Sequence, residues 1–366
     1  MINTAGVECL AWTPKGLQAR WSHDSEGVHA VWLAERRALG ERDQEDLAFL
    51  ECSSRYPVEE KMDTPLVGHS IIHLSVGSEL MGWPTKRRRL LACALNNRTM
   101  VWVGRGTQAA IEKDFTERFH KGIMTSGNVF FQDDDASRHK EYVSLAEVQK
   151  HKLDPEKIAS MDKMELLEML LPPGGRARFD EWHERRETVE SLGGNMLVDL
   201  GQHFGHACGG TDWPAQLTRC IITSIPRDTT QWKIATAMEH LGAMGLHVFP
   251  STTTTFPVSK LHTTLQKLGI KFQDAKTIAG NGMHLATQSA FMLYVLSNIV
   301  PRRPIAPCRL WQLGVLSKED IGAKFFVHGL DELLEEDYHS KSVHVQLAAA
   351  QSTREERAPR GLVAAT

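Results

Sequence analysis

Four short stretches of this chain carry residue types that could do chemistry. The first, Ala5-Gly6-Val7-Glu8-Cys9-Leu10-Ala11-Trp12-Thr13-Pro14-Lys15-Gly16, runs from an apolar-leaning segment into a cysteine and then a loop. A strand end delivers a nucleophile into a cleft in this way, although a cysteine so placed is also a common small buried hydrophobe. The second is Glu51, a carboxylate closing the apolar strand 46–51. The third is Arg87, Arg88 and Arg89, following Pro84 and Lys86; such a cluster reads either as a site cation set or as a solvated basic turn. The fourth is Gly280-Asn281-Gly282, which the pattern predicts as the opening of an apolar helix over 283–299, stopped by Pro301. His203, His206 and Cys208 are close in sequence, but no fourth ligand stands at a zinc-site spacing.

The elements that must position these groups alternate. Residues 1–16 read as strand then loop. An amphipathic helix spans 26–40, with Val28, Val31, Trp32, Leu33 and Leu39 among Glu and Arg. Residues 66–83 lead into a turn at Gly82-Trp83-Pro84, and 90–95 is another buried strand. The alternation predicts an α/β layer around a largely parallel sheet. Residues 104–192 are richer in charge, including Asp133-Asp134-Asp135. Helices are expected around 145–171, broken by Pro172-Pro173-Gly174-Gly175, and again over 177–192. A helix over 232–246 carries the spacing of a capping box, Thr236 to Glu239.

The chain has 366 residues and a formal net charge of −3, so polyanion contact would have to come from local clusters rather than a global basic excess. Six cysteines without a CxxC pair read as reduced thiols of an intracellular protein. No run approaches the roughly 20 apolar residues of a membrane span, and no signal peptide is read at the N-terminus.

Taken in order, these stretches resemble the C5-cytosine DNA methyltransferases. The family's Pro-Cys-Gln-x-Phe-Ser-x-x-Gly motif is matched by Cys9, Trp12, Thr13 and Gly16, with Glu8 and Leu10 where the family has Pro and Gln. Its Glu-Asn-Val reads Glu51-Cys52-Ser53. Its Pro-Gln-x-Arg-x-Arg reads Pro84-Thr85-Lys86-Arg87-Arg88-Arg89. Its Arg-x-Leu-Thr-x-x-Glu is echoed by Lys233 to Glu239, and its Gly-Asn before an apolar helix by Gly280-Asn281. The resemblance covers about residues 5–300.

It implies a partial Rossmann-like, S-adenosylmethionine-dependent α/β fold with an inserted α+β target-recognition region. The corresponding divisions are 1–103 for the catalytic part, 104–230 for the recognition-like region, 231–303 for the return to the catalytic domain, and 304–366 for a partly mobile tail. It implies that Cys9 adds to cytosine C6, that Glu51 holds N3, and that Arg89, with Arg87, orients the base. It also implies a DNA substrate whose target base is flipped out of the stack, S-adenosyl-L-methionine as donor with Gly280 and Asn281 against it, no membrane, and nuclear residence in a eukaryotic cell. A catalytically silent nucleic-acid-binding remnant and an RNA cytosine-C5 methyltransferase are the alternatives. The family's Phe-x-Gly-x-Gly donor motif normally lies some dozens of residues before the nucleophile, and eight residues precede Cys9. The expectation is therefore that a missing N-terminal half or a complementing chain supplies the donor site.

Overall fold

The computed structural model describes residues 1–6, 23–121, 127–151, 154–184, 196–200, 209–210, 222–225, 233–250, 257–270 and 272–302. Cys9 and the expected tail 304–366 lie outside them. The chain forms two compact units, Met1–Asn97 with Arg105–Ser297, and Arg98–Gly104 with Asn298–Thr366.

In the first unit, strands β1 (Ile2–Gly6), β2 (Leu47–Ser53), β3 (His69–Gly77) and β4 (Arg88–Asn96) form one sheet in the order β1-β2-β4-β3. β1 and β2 are parallel, and β4 is antiparallel to both of its neighbours. The sheet is thus α/β in character but mixed, where the sequence predicts a largely parallel one. The reason is the link from β3 to β4. Residues 78–87 are too few for the crossover that a parallel return needs, so β4 comes back reversed. β1, β2 and β3 share one direction, and their carboxyl ends meet the amino end of β4 along one edge.

β2 is buried along its whole length because it is covered on both faces. On one face Ala48, Leu50 and Cys52 join Leu90, Ala92 and Ala94 against Leu33 of α1 (Ser25–Glu41). The buried stripe of α1 is His29, Leu33, Arg36 and Gly40, whereas Val28 and Val31 are exposed. The polar members of that stripe go inside because they have partners. His29 Nε2 lies 2.9 Å from the Tyr56 hydroxyl, and Arg36 Nη1 donates to Glu45 at 2.6 Å. Gly40 lets the His69 ring pack against the helix, since a Cβ there would stand 2.7 Å from that ring and would have to displace it.

The charge-rich middle is helical: α2 (Gln108–Phe119), α3 (Asp135–Val148), α4 (Pro155–Ser160), α5 (Lys163–Leu170) and α6 (Pro173–Glu184). Pro173 begins α6 instead of ending a helix, as suits a residue whose missing N–H would be an orphan in the first turn. The acidic run caps α3. Asp134 accepts from Ser137 N at 2.7 Å, and Asp133 accepts from the Thr236 hydroxyl at 2.8 Å. Helices α3 to α6 share a core that includes Tyr142, Ile158, Leu166, Leu170 and Phe179 with Val198 and Ile234.

In the second unit β5 (Met100–Trp102) pairs antiparallel with a strand at Ile299–Pro301. Pro301 therefore sits in a strand, and the apolar helix ends earlier, at Leu296. Within the first unit, β6 (Met196–Asp199), β7 (Gly209–Gly210), β8 (Ile222–Ile225) and β9 (Lys233–Ile234) form an antiparallel sheet in the order β7-β6-β8-β9. The strand at Ile299–Pro301 is β10.

The region predicted as one helix over 232–246 is β9 followed by α7 (Ala237–Ala243). The capping box is present: Thr236 Oγ1 accepts from Glu239 N, and Glu239 accepts from Thr236 N at 2.9 Å. Glu239 is fully buried and also takes Arg138 at 2.7 and 2.9 Å. Then come α8 (Leu261–Lys267), α9 (Phe272–Asn281) and α10 (Leu285–Leu296). Gly280 and Asn281 close α9; they do not open α10. Gly and Asn favour helix carboxyl ends, and the N-cap of α10 is His284, whose Nδ1 accepts from Thr287 N at 3.3 Å.

Candidate functional site

The site lies at the sheet edge where the carboxyl ends of β1, β2 and β3 meet the start of β4. Open α/β sheets place their ligands at such an edge. Parallel register sets Gly6 against Glu51, and antiparallel register sets Glu51 against Leu91 and Ser53 against Arg89. Because side chains alternate along a strand, Glu51, Leu91 and Arg89 share one face. This is the face covered by α10, where Phe291 meets Phe49 edge-on at 6.0 Å.

Glu51 is only 4% exposed. It is interior to β2 rather than at its end, as two further residues continue the strand. Arg89 Nε stands 3.0 Å from Glu51 Oε1. Burial pushes the Glu51 carboxyl above the ordinary carboxylate value of 4.5, against the opposing pull of Arg89 and then Arg87. Desolvation thus outweighs two cations, and the group is biased toward the protonated acid.

The two arginines differ in role. Arg87 is buried, and its Nη2 donates to the carbonyls of Gly280 at 2.9 Å and Gly282 at 2.6 Å. It fastens the α9–α10 turn to the sheet edge. Arg89 is partly exposed, with Nη1 on its neighbour's carbonyl, Arg88 O, at 3.0 Å. It is the cation that shares the notch with Glu51 and still reaches solvent. The loop ahead of them is fixed by Thr85 and Trp83, which both donate to Ala243 O, at 3.0 and 3.2 Å. Gly82 turns that loop at φ 75°, a backbone region that favours glycine.

Glu51, Arg87, Arg89 and Leu91 line a narrow notch with His284, Thr287 and Gln288, whose side chains stand too close together in this structure to admit a molecule the size of water. The structure therefore brings together Glu51, Arg87 and Arg89. It puts the Gly280 carbonyl on Arg87, and it leaves Asn281 exposed. Cys9 lies outside the described residues, as do His203, His206 and Cys208. Among the described residues no group of three His, Cys, Asp or Glu could hold a metal, and no helix is long and apolar enough to cross a membrane.

The sequence reading missed the α10 contribution. His284, Thr287, Gln288 and Phe291 recur at helical spacing on one face. His284 is buried, and burial, reinforced by the Arg87 charge, lowers its pKa to about 4, so the imidazole is neutral. The available signal was a Gln and a His on the buried stripe of an otherwise apolar helix.

No protein-family model and no curated protein sequence matches the chain. Solved structures are similar to it at low identity. The Entamoeba histolytica methyltransferase EhMeth has a TM-score of 0.40 and 10% identity over 81% of this chain and 77% of its own. The S. pombe Dnmt2 methyltransferase has a TM-score of 0.39 and 12% identity, covering 81% and 77%. A Spodoptera frugiperda DNMT2 mutant has a TM-score of 0.38 and 12% identity, covering 81% and 79%.

Proposed function

We propose that this edge is the base-handling half of a cytosine-C5 methyltransferase acting on DNA. One observation carries the reading. A buried carboxyl, held above its ordinary range, shares a notch with a solvent-reaching arginine and stands opposite Gly6, three residues before Cys9. Three residues of chain reach at most about 11 Å.

The chemistry uses each group. The Cys9 thiolate forms a bond to C6 of the ring, and the C5–C6 electron pair moves toward C5 and into the N3–O2 system. Glu51, as the acid, donates its proton to N3. Arg89 donates to O2, where charge builds. Carbon 5 becomes an enamine carbon able to take an electrophile. The reacting groups are buried in the notch, so the base would have to leave the stack and part the side chains of the notch to reach them. Arg87 does not touch the ring in this scheme; it holds the α9–α10 turn in place.

S-adenosylmethionine would supply the methyl group. Around the 280–282 turn the described residues offer it the exposed Asn281 and the turn backbone, but the Gly280 and Gly282 carbonyls are already used by Arg87. These described residues do not by themselves make a complete donor site.

The test needs no donor. Thiolate addition, protonation at C5 and elimination exchange the C5 hydrogen with water. DNA tritiated at cytosine C5 should release tritium with the intact chain. It should do so at background with Cys9→Ala, and 10²-fold or more slower with Glu51→Gln. Release that survives Cys9→Ala would falsify the covalent reading. The same measurement on tritiated RNA assigns the nucleic acid.

A further inference from the structure

Gln288 stands one helical turn before Phe291 on the stripe of α10 that faces the sheet. Phe291 meets Phe49, and two residues further along the same face of β2 is Glu51, with which Gln288 lines the notch. Gln288 is 7% exposed, and among the described residues neither its amide oxygen nor its amide nitrogen has a hydrogen-bond partner. An amide buried without partners costs about 1–3 kcal/mol. Leu or Met would fill the same space at no such cost. A chain that keeps an unsatisfied amide at the wall of a cleft keeps donors and an acceptor ready for something that enters it.

We propose that Gln288 is a substrate contact of this notch, pairing with the polar edge of the pyrimidine that Glu51 and Arg89 receive. The inference rests on the cytosine reading above and adds a residue which that reading does not use. The geometry of demand fits. A cytosine whose N3 faces Glu51 presents a 4-amino group with two hydrogens. Glu51, when protonated, has one acceptor oxygen to offer it. The second hydrogen needs another acceptor, and the Gln288 amide lines the same notch, whose side chains must part to admit the ring. Its amide nitrogen remains to donate to a ring or backbone oxygen. The amide thus brings what the Glu51–Arg89 pair lacks, a neutral acceptor beside a neutral donor.

The test is a binding ratio. Two DNA duplexes are compared, one with a single mismatched cytosine and one with an abasic site in its place, against the intact chain, Gln288→Leu and Gln288→Met. The intact chain should prefer the cytosine duplex. Both variants should lose about tenfold of that preference, the worth of one good hydrogen bond at about 1.4 kcal/mol, and should bind the abasic duplex as before. Their thermal midpoints should be unchanged or higher, because an unsatisfied amide has been replaced by an apolar group. A structural glutamine would instead lower the midpoint and leave the ratio alone. A preference that persists in both variants overturns the role of Gln288 and leaves the Glu51 reading standing. An intact chain without any preference overturns both. Failure of both variants to fold would make the amide a structural element and overturn the inference as well.

Discussion

Gly6 and Glu51 are register partners at the end of the parallel pair β1 and β2. That one pairing links the strand that precedes Cys9 in sequence to the carboxylate. A glycine suits the position. A Cβ on Gly6 would stand 3.2 Å from the Met283 methyl, so the strand end is pressed against the α9–α10 turn on its other side. The strand exit, the carboxylate and the turn fastened by Arg87 therefore meet at one place, although they are far apart in the chain.

Glu51→Gln should separate charge from shape. The folded pKa of Glu51 is raised above 4.5, largely by burial. The native state therefore holds a proton that the unfolded chain releases, and this group costs stability as pH rises from about 4.5 through its folded pKa. Glutamine removes that cost. In urea titrations the variant should match wild type near pH 4 and be the more stable at pH 7.5, while tritium release falls. A variant less stable than wild type at pH 7.5 would mean that the Arg89 pairing outweighs desolvation.

Arg87→Ala and Arg89→Ala should fail differently. Arg87 is buried on two carbonyls, and its loss should cost about 2–4 kcal/mol, since hydrogen bonds from a charged donor are worth about 1.5–3 kcal/mol each. Arg89 keeps a fifth of its surface in solvent. Its loss should lower stability by less than about 1 kcal/mol and lower C5 exchange by at least tenfold. Denaturation midpoints and exchange rates, measured on both variants, check the split.

His284 should show itself at mild acid. Its folded pKa is lowered to about 4 from 6.5. The unfolded chain then binds a proton that the native state refuses, so the stability tied to the neutral imidazole is complete above pH 6.5. It is lost as pH falls from 6.5 toward 4, by up to about 3 kcal/mol. His29, lowered to about 4 by burial, adds a loss in the same window. His284→Asn keeps an N-cap side chain without the titration. Its stability between pH 7 and 4.5 should fall less steeply than that of wild type.

Glu239→Ala should be the most damaging single change outside the notch. It strips the capping box of α7 and strands the Arg138 guanidinium, which is 5% exposed. Breaking a buried pair from one side costs about 3–5 kcal/mol. Glu239→Gln, which can still accept from Thr236 N and Arg138, should cost less. Thermal melts of the two variants give the comparison.

Several of these residues were legible from the sequence because local chemistry fixes them. The Thr236–Glu239 box, helix α1 and the apolar strands β2 and β4 are short-range patterns, and the structure has them. The buried face of α1 was not legible. His29 and Arg36 look like surface residues until Tyr56 and Glu45 arrive to pair with them. Gly280-Asn281 read as a helix opening because an apolar run follows, but the same dipeptide suits a helix end, and His284 supplies the cap. The reversal of β4 follows from a ten-residue link whose length the sequence contains, although alternating strands and helices suggested otherwise. Gln288 was hidden by its neighbours, since one amide among Ala290, Phe291 and Leu293 scarcely changes an apolar pattern.

The reversal of β4 has a mechanical consequence. A strand parallel to β1 and β2 would bring its end to this edge, and its cations would follow in a connecting loop. β4 brings its beginning instead, so Arg89 lies within a strand bonded on one side to β2 and on the other to β3. Its backbone is immobilised when the sheet forms. Amide hydrogens along β4 should exchange with solvent as slowly as those of the central core, and a ligand reaching the notch would meet a guanidinium whose backbone anchor needs no further ordering.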